Sequence, residues 1–348
     1  MYVELHCHSA FSFLDGTSLP EELTLEAQML GYDALALTDH NGVYGSMAFA
    51  QTARDIGLQA ITGAELTLLD DSHVTLLAET QQGYANLCRL ITEAHLGRED
   101  RRDPRLDLAS LEQRNEGLVI LSGCRTGLLP TVLLREGLSA ARRFAEHLKE
   151  SFGAKNFFIE LQRNLVQGDR ALNYGLCDIA DTLGLSVVAT GDVHYHTRDR
   201  YKLQDVLISI RNRKTLDNSH AERKPNSEFY LRPPEQVAKL FRDRPDAIAN
   251  TLVIAERCAS FDLTRDLGYT FPDFRGHTLQ SASQALSELC YSKLEELYPP
   301  GSPHREKAEK RVAEELRLAE HHKLCGFFLV YRDLLKLATK VAADIRVG

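Results

Sequence analysis

No stretch of these 348 residues approaches the ~20 consecutive apolar positions of a membrane span, and Met1 runs straight into Tyr2-Val3-Glu4-Leu5 without the segments of a secretion signal. The expectation is a cytoplasmic protein with no membrane contact. Its seven cysteines, Cys7, Cys88, Cys124, Cys177, Cys258, Cys290 and Cys325, are odd in number, scattered and never arranged as a CxxC pair. That excludes a disulfide framework and a zinc ribbon. Positive charge is also short, with 41 Lys and Arg against 49 Asp and Glu and a net charge of -8. Coating nucleic acid through bulk electrostatics needs the opposite balance, so any polynucleotide contact must be local. Internal repeats and low-complexity tracts are absent as well.

What is present reads as an ordinary globular protein with one main domain and an appendage. Short β-branched runs alternate with helical patterns up to about residue 200, the mark of a parallel sheet or barrel. Strands are expected at Val3 to His8, Ala34 to Thr38, Gln59 to Leu66, His73 to Ala78, Leu118 to Ser122, Phe157 to Leu161 and Val187 to Thr190. Helices between them carry start and stop signals: Ser18 then Pro20 opens one that ends at Gly31, Gly45 to Ile56 stops at Gly57, and Gly168 to Leu183 stops at Gly184. The predicted fold is α/β, a distorted seven-stranded (β/α)7 barrel. From about Tyr201 the pattern turns to polar loops such as Arg211-Asn212-Arg213-Lys214 and then to helices alone, among them Pro234 to Phe241 and Asp246 to Ala259. Past Phe271-Pro272-Asp273, charged helices at Ser283 to Leu297 and His304 to His322 precede the apolar run Phe327 to Tyr331, read as a core segment needing a partner. Boundaries therefore fall at 1–200, 201–270 and 271–348.

Chemistry concentrates in the barrel. His6 and His8 flank Cys7 on an expected strand, and residues two apart on a strand share a face. Alone, such a pair is as easily two surface histidines. Asp192 and His194 repeat the spacing at the end of the last strand. Thr38-Asp39-His40 ends the second strand, Glu65 lies late in the third, Ser122-Gly123-Cys124 ends the fifth, and Asp15 follows the first. Functional side chains of parallel barrels gather at the C-terminal ends of strands, where these converge. His73 opens its strand and reads equally as a turn residue, Cys124 reads also as a small buried thiol, and Asp39 either orients an imidazole or caps a helix. His196 is the one remaining histidine placed to support the set from behind. Imidazole and carboxylate with at most one thiolate suit Zn, Mn or Fe, and so many donors call for two or three ions. Glu65, with two oxygens, is the natural bridge, and closely spaced ions activate water and stabilise a leaving alkoxide, which suits phosphate ester hydrolysis.

With these residues in hand, the chain resembles the PHP (polymerase and histidinol phosphatase) superfamily, and within it the bacterial C-family DNA polymerases of the DNA polymerase III alpha type. The opening Tyr2-Val3-Glu4-Leu5-His6-Cys7-His8-Ser9-Ala10-Phe11-Ser12-Phe13-Leu14-Asp15-Gly16 is most similar to the error-prone branch. Glu228-Phe229-Tyr230-Leu231 and Cys325-Gly326-Phe327-Phe328-Leu329-Val330-Tyr331-Arg332-Asp333 extend the likeness along nearly the whole chain. The resemblance implies a PHP metal-binding barrel at 1–200, its extension and linker helices at 201–270, and a lead-in to a truncated polymerase palm at 271–348. It implies three divalent ions: one held by His6, His8, Glu65 and Asp192, one by Glu65, His73 and Cys124, and one by Asp15, His40 and His194. Glu65, Asp192 and His8 are then the expected catalytic residues. The expected activity is 3′ to 5′ exonuclease on the primer end of DNA, beside a polymerase body or accessory replication and repair proteins. The palm's Gly-rich motif and catalytic aspartates do not occur in these residues, so no DNA synthesis is expected from them. Competing expectations are a metal-stabilised scaffold for the polymerase and a small-molecule phosphatase of the histidinol phosphatase kind. Arg98 to Arg105 and Arg211 to Lys214 could grip a strand, or could be solvated loops.

Overall fold

The computed structural model describes residues 1–97, 103–268 and 281–347, so the expected loop at Phe271-Pro272-Asp273, His277 and most of the Arg98 to Arg105 segment lie outside the described residues. The described chain forms two compact units, Met1–Leu267 and Gly268–Gly348. Within the first, six strands pair in sequence order: β1 (Ala34–Leu37), β2 (Gln59–Thr67), β3 (His73–Ala78), β4 (Leu118–Leu121), β5 (Phe157–Gln162) and β6 (Ser186–Thr190). The helices Pro20–Met29, Ser46–Asp55 and Asp169–Leu183 run between them as their punctuation predicts.

Two expectations are corrected. The sheet is not wholly parallel, because β3 runs antiparallel to both β2 and β4. Only Leu68 to Ser72 separate β2 from β3, with Asp71 in the left-handed region at φ 67°. A parallel return needs a crossover of a dozen or more residues, so this connection can only be a hairpin. Nor is Val3 to His8 a regular seventh strand. The segment makes isolated bridges, Glu4 with Leu35 and Cys7 with Val193, and its backbone bonds reach both neighbours: Ala36 donates to Glu4, Thr38 to Cys7, and Val193 to His6. It occupies the gap between β1 and the residues after β6 without strand geometry.

The reason is visible in the packing. Val3 and Leu5 join an inner apolar cluster with Ala34, Ala36, Ile61, Leu77, Val119, Phe158 and Val188, while His6 and His8 point into the polar centre described below. Side-chain alternation therefore slips by one residue between Leu5 and His6, which a continuous ladder cannot accommodate. The inner cluster is closed by Ile254, Ala255 and Cys258 of the helix Pro245–Cys258, so residues beyond 200 complete the barrel's own core. A second apolar layer packs the helices' Leu23, Phe49, Leu90 and Ile179 against Leu35, Leu66, Ile120 and Ile159 on the sheet's other face. Arg257 adds a two-pronged bond to Glu79 just after β3, at 3.0 and 2.8 Å.

The second unit consists of the helices Ala282–Leu297, Arg305–His321 and Cys325–Val347. The run expected as core is split there: Leu329 is fully buried, while Phe328 and Tyr331 are about half exposed. No helix among the described residues is long and apolar enough to cross a membrane.

Ile254 is wholly buried in the inner cluster whereas its neighbour Val253 is exposed. In denaturant titrations, Ile254→Ala should lower the unfolding free energy by about 2–5 kcal/mol through the cavity it leaves. Val253→Ala should change it by no more than about 0.5 kcal/mol.

Candidate metal centre

Because strand side chains alternate, the face that carries the inner apolar residues continues into polar ones at one end of the sheet. Ala36 is followed by Thr38 and His40, Ile61 by Glu65, Phe158 by Glu160, and Val188 by Thr190 and Asp192. On β3 the order is reversed, Leu77 then Thr75 then His73. The antiparallel direction of β3 thus brings a residue from the start of its strand to the same end as the others, where Thr67 faces His73 in register. This resolves why His73 reads from sequence as a misplaced ligand.

Glu65, fully buried, stands at the centre. His40 Nδ1 lies 2.9 Å from Oε2 and His73 Nδ1 3.3 Å from Oε1. His6 Nε2, His8 Nε2 and Cys124 Sγ stand at 3.5, 3.6 and 3.6 Å. Asp192 Oδ1 is 3.6 Å from His8 Nε2, 3.7 Å from His194 Nε2 and 3.9 Å from His6 Nε2. Asp15 closes the far side, 3.2 Å from His40 Nε2 and 3.8 Å from His194 Nε2. All nine residues singled out from sequence are therefore brought together.

The donor sets fit divalent ions. Tetrahedral sites with bonds of 2.0–2.3 Å place neighbouring donors about 3.3–3.8 Å apart, close to the 3.5–3.9 Å found between the imidazoles of His6 and His8 and the carboxylates of Glu65 and Asp192. Among the described residues, three groups have donor atoms mutually within 4.8 Å: His6, His8 and Asp192; His8, His40 and Glu65; and Glu65, His73 and Cys124. The last coincides with an expected set. Asp15, His40 and His194 are joined through Asp15 but do not form such a triad among the described residues. Buried ring nitrogens lacking a hydrogen-bond partner give an independent mark: His6 Nε2, His8 Nε2, His73 Nδ1 and His194 Nδ1. Buried polar atoms are rarely left so, and the His6 and His8 nitrogens, which both face Glu65 and Asp192, call for an acceptor of lone pairs.

The electrostatics agree. Burial pushes the Glu65 carboxyl up, but His73, His40 and His6 outweigh it and hold it well below the usual range. Burial likewise raises Asp192, yet Lys224, His8 and His194 keep it well below normal. Burial lowers His40, and Glu65 and Asp15 more than reverse this, to about 9. Burial and then the Glu65 carboxylate push the Cys124 thiol well up, so a cation would be needed to hold it as thiolate.

Residues that sequence reasoning passed over support this set. Glu160 accepts from His6 Nδ1 at 2.7 Å and from Gln162 and Thr190, which leaves His6 Nε2 facing the cluster. Its only signal was a lone carboxylate in an otherwise apolar strand, Phe157-Phe158-Ile159-Glu160-Leu161. Glu4 accepts from the backbone N–H of both His6 and Gly191, tying the two ligand-bearing segments together. Asp39 works at one remove: it accepts from Ser9 and Ser12, and the Ser12 hydroxyl lies 3.3 Å from His8 Nδ1 and accepts from the His40 N–H. His196 instead pairs with Ser18 and touches none of the nine. Backbone strain is concentrated here, since Leu14, Asn41 and Asp192 all have positive φ beside or at the cluster. Gly123 also has positive φ, and a Cβ on it would stand 2.5 Å from the His73 carbonyl.

Outside the donors, Arg211 reaches Asp15 Oδ2 at 3.2 Å and Lys224 reaches Asp192 Oδ2 at 3.1 Å. Lys214 pairs with Glu222, and Arg105 with Asp71 and Asp103, whereas Arg211 meets the site at Asp15.

The PHP domain family matches residues 4–164. An error-prone DNA polymerase from Symbiobacterium thermophilum is 38% identical over 97% of this chain and 32% of its own length. The DNA polymerase III subunit alpha of Treponema pallidum is 32% identical over 100% of this chain and 30% of its own. The chain thus spans about a third of the curated relatives it matches. A solved amidohydrolase from Chromobacterium violaceum, 17% identical, covers 56% of this chain and 88% of that one with a TM-score of 0.39, an overlap too loose to bear on function.

Replacing Glu160 by Gln should weaken metal binding by about 10–100-fold in a competition titration, while unchanged affinity would remove its role in orienting His6. Because an ion must displace the proton that His40 retains up to about 9, apparent affinity should rise with pH towards that value and level off above it. Calorimetry in buffers of different ionisation enthalpy should register the released protons; a pH-independent affinity would contradict the reading.

Proposed function

Because the chain carries a PHP domain and belongs with the bacterial DNA polymerase III alpha and error-prone polymerase relatives, we propose that its nine-residue cluster is a phosphoesterase centre acting as a 3′ to 5′ exonuclease on DNA. The observation that carries this reading is the meeting of nine donor residues at one place, with the buried Glu65 among His6, His8, His40, His73 and Cys124 and with His6 Nε2 and His8 Nε2 lacking a hydrogen-bond partner. The proposed ligands are His6, His8, Glu65 and Asp192 for one ion, Glu65, His73 and Cys124 for a second, and Asp15, His40 and His194 for a third, with Zn, Mn or Fe as the metal. Bound together, such ions supply a water activated near neutral pH, a clamp on phosphate oxygens and stabilisation of the leaving alkoxide.

The protein's part is to keep the donors in place and properly charged. Glu65 offers one oxygen to His40 and His8 and the other to His73 and His6, so its two sides serve different neighbours. Glu160 keeps His6 in one tautomer, and Glu4 prevents the His6 and Asp192 segments from separating. The substrate proposed is the 3′ end of a primer, and the proposed partners are a polymerase body and accessory replication and repair proteins.

A 3′-labelled primer incubated with the Mn- or Zn-loaded protein should shorten from that end. Asp192→Asn should slow this by more than about 100-fold, the upper end of what losing even an outer partner of a metal ligand costs. Undiminished digestion by the variant would sink the assignment. Chelation should lower turnover and thermal stability on the same titration, whereas loss of stability with no hydrolysis to lose would make the centre a scaffold. Cleavage of a simple phosphate monoester but not of DNA would identify a small-molecule phosphatase.

A further inference from the structure

A cavity of about 180 Å³ opens beside the cluster, and Cys124 and Asp192 are part of its wall together with Lys224, Phe229, Arg125 and Asn173. Lys224 is the unexpected member. It lies in the segment that follows the barrel strands, cannot ligate a metal as an ammonium, and yet sits against a proposed ligand. Asp192 divides its oxygens: Oδ1 faces His6, His8 and His194, and Oδ2 takes the Lys224 ammonium at 3.1 Å. The ammonium also stands 4.5 Å above the Phe229 ring, which is itself buried and stacked on His194. That seat fixes the cation while committing only one of its three N–H donors to Asp192.

Such a cation is out of place beside a centre for divalent ions. Two positive charges separated by a few ångström in a partly dry site repel strongly unless an anion lies between them. Asp192 alone cannot serve both an ion on Oδ1 and an ammonium on Oδ2 at full strength. The missing counter-charge has room in the adjoining cavity, where Arg125 contributes a second cation held at 3.2 Å by Asp169. The cavity's remaining wall is mixed. Leu172 and Leu176 are apolar and buried, the Asn173 side-chain oxygen is buried without a partner, and the two further carboxylates in the wall, Glu160 and Asp169, are engaged by His6 and Arg125. Its volume falls below the ~300 Å³ at which pockets for whole drug-sized ligands begin, so it accommodates a phosphate with its sugar and not a continuous strand.

We propose that this cavity is the subsite for the phosphate of a terminal nucleotide, with Lys224 holding a phosphate oxygen that the metals do not take. The same contact retains the nucleoside monophosphate after hydrolysis. This rests on the phosphoesterase reading above and adds its substrate class: a chain end carrying a phosphate, recognised through that phosphate. A lysine contributes here as a point charge on a tether, matched to one oxygen, while its separation from Asp192 Oδ1 leaves the ligand oxygen free.

The test is calorimetric titration of the Mn-loaded full chain with thymidine 5′-monophosphate and with thymidine, for wild type, Lys224→Met and Lys224→Arg. Metal content is measured on each sample and digestion of a 3′-labelled primer is followed in parallel. Wild type should bind the monophosphate and not the nucleoside, and Lys224→Met should weaken that binding by about tenfold or more, as loss of a charged hydrogen bond does. Lys224→Arg should recover most of it, and metal content should be the same in all three. Monophosphate binding by Lys224→Met equal to wild type would overturn the proposal. So would a loss of metal in Lys224→Met in step with the lost affinity, which would make Lys224 a support for Asp192 alone. Lys224-dependent monophosphate binding without any primer digestion would support the subsite and remove the exonuclease reading.

Discussion

The structure turns on one buried carboxylate. Glu65 is buried away from bulk solvent, and an isolated charge in such a place costs several kcal/mol. It is tolerated because four imidazoles from three segments and a thiol from a fourth converge on its two oxygens. Each of those segments must therefore arrive at one point with one orientation. The hairpin that reverses β3, the broken ladder at His6 and the positive φ at Asp192 all follow from that demand.

Behind the donors stands a second set of charges whose work is geometric. Glu160, Glu4 and Asp39 are almost fully buried carboxyl groups, and each is occupied by N–H or O–H donors on the backs of the ligand segments. A ligand set without them would have the right residue types and loose angles, and metal chemistry is sensitive to angle. The apolar inner cluster below supplies the rigidity on which these hydrogen bonds depend. Its closure by Ile254 and its neighbours makes the helix Pro245–Cys258 part of the site's foundation, although it carries no ligand.

Cations on the outside balance the same account. Arg211 and Lys224, both from beyond β6, meet Asp15 Oδ2 and Asp192 Oδ2. Phe229, under Lys224 and against His194, fixes where that positive charge sits. The residues past the strands thus set charges against two of the cluster's carboxylates.

The sequence by itself determined most of the strand and helix positions and, by pattern alone, the donor pairs at His6 and His8 and at Asp192 and His194, while His73 and Cys124 joined the set of nine only through the family resemblance. Periodicity and turn residues are local properties, and donors spaced two apart on strand ends declare a shared face without reference to anything distant. Tertiary structure decided what depends on contacts remote in the chain. The reversal of β3 that recruits His73 rests on a five-residue connection that pattern reading did not weigh. The slip between Leu5 and His6 appears only when an inner apolar layer and a polar layer compete for consecutive residues. Glu160 looks in sequence like an odd acid within a strand, and Lys224 like one more loop lysine, because neither carries a periodic signal. Their roles exist only because folding places His6 against one and Asp192 against the other, 154 and 32 residues away.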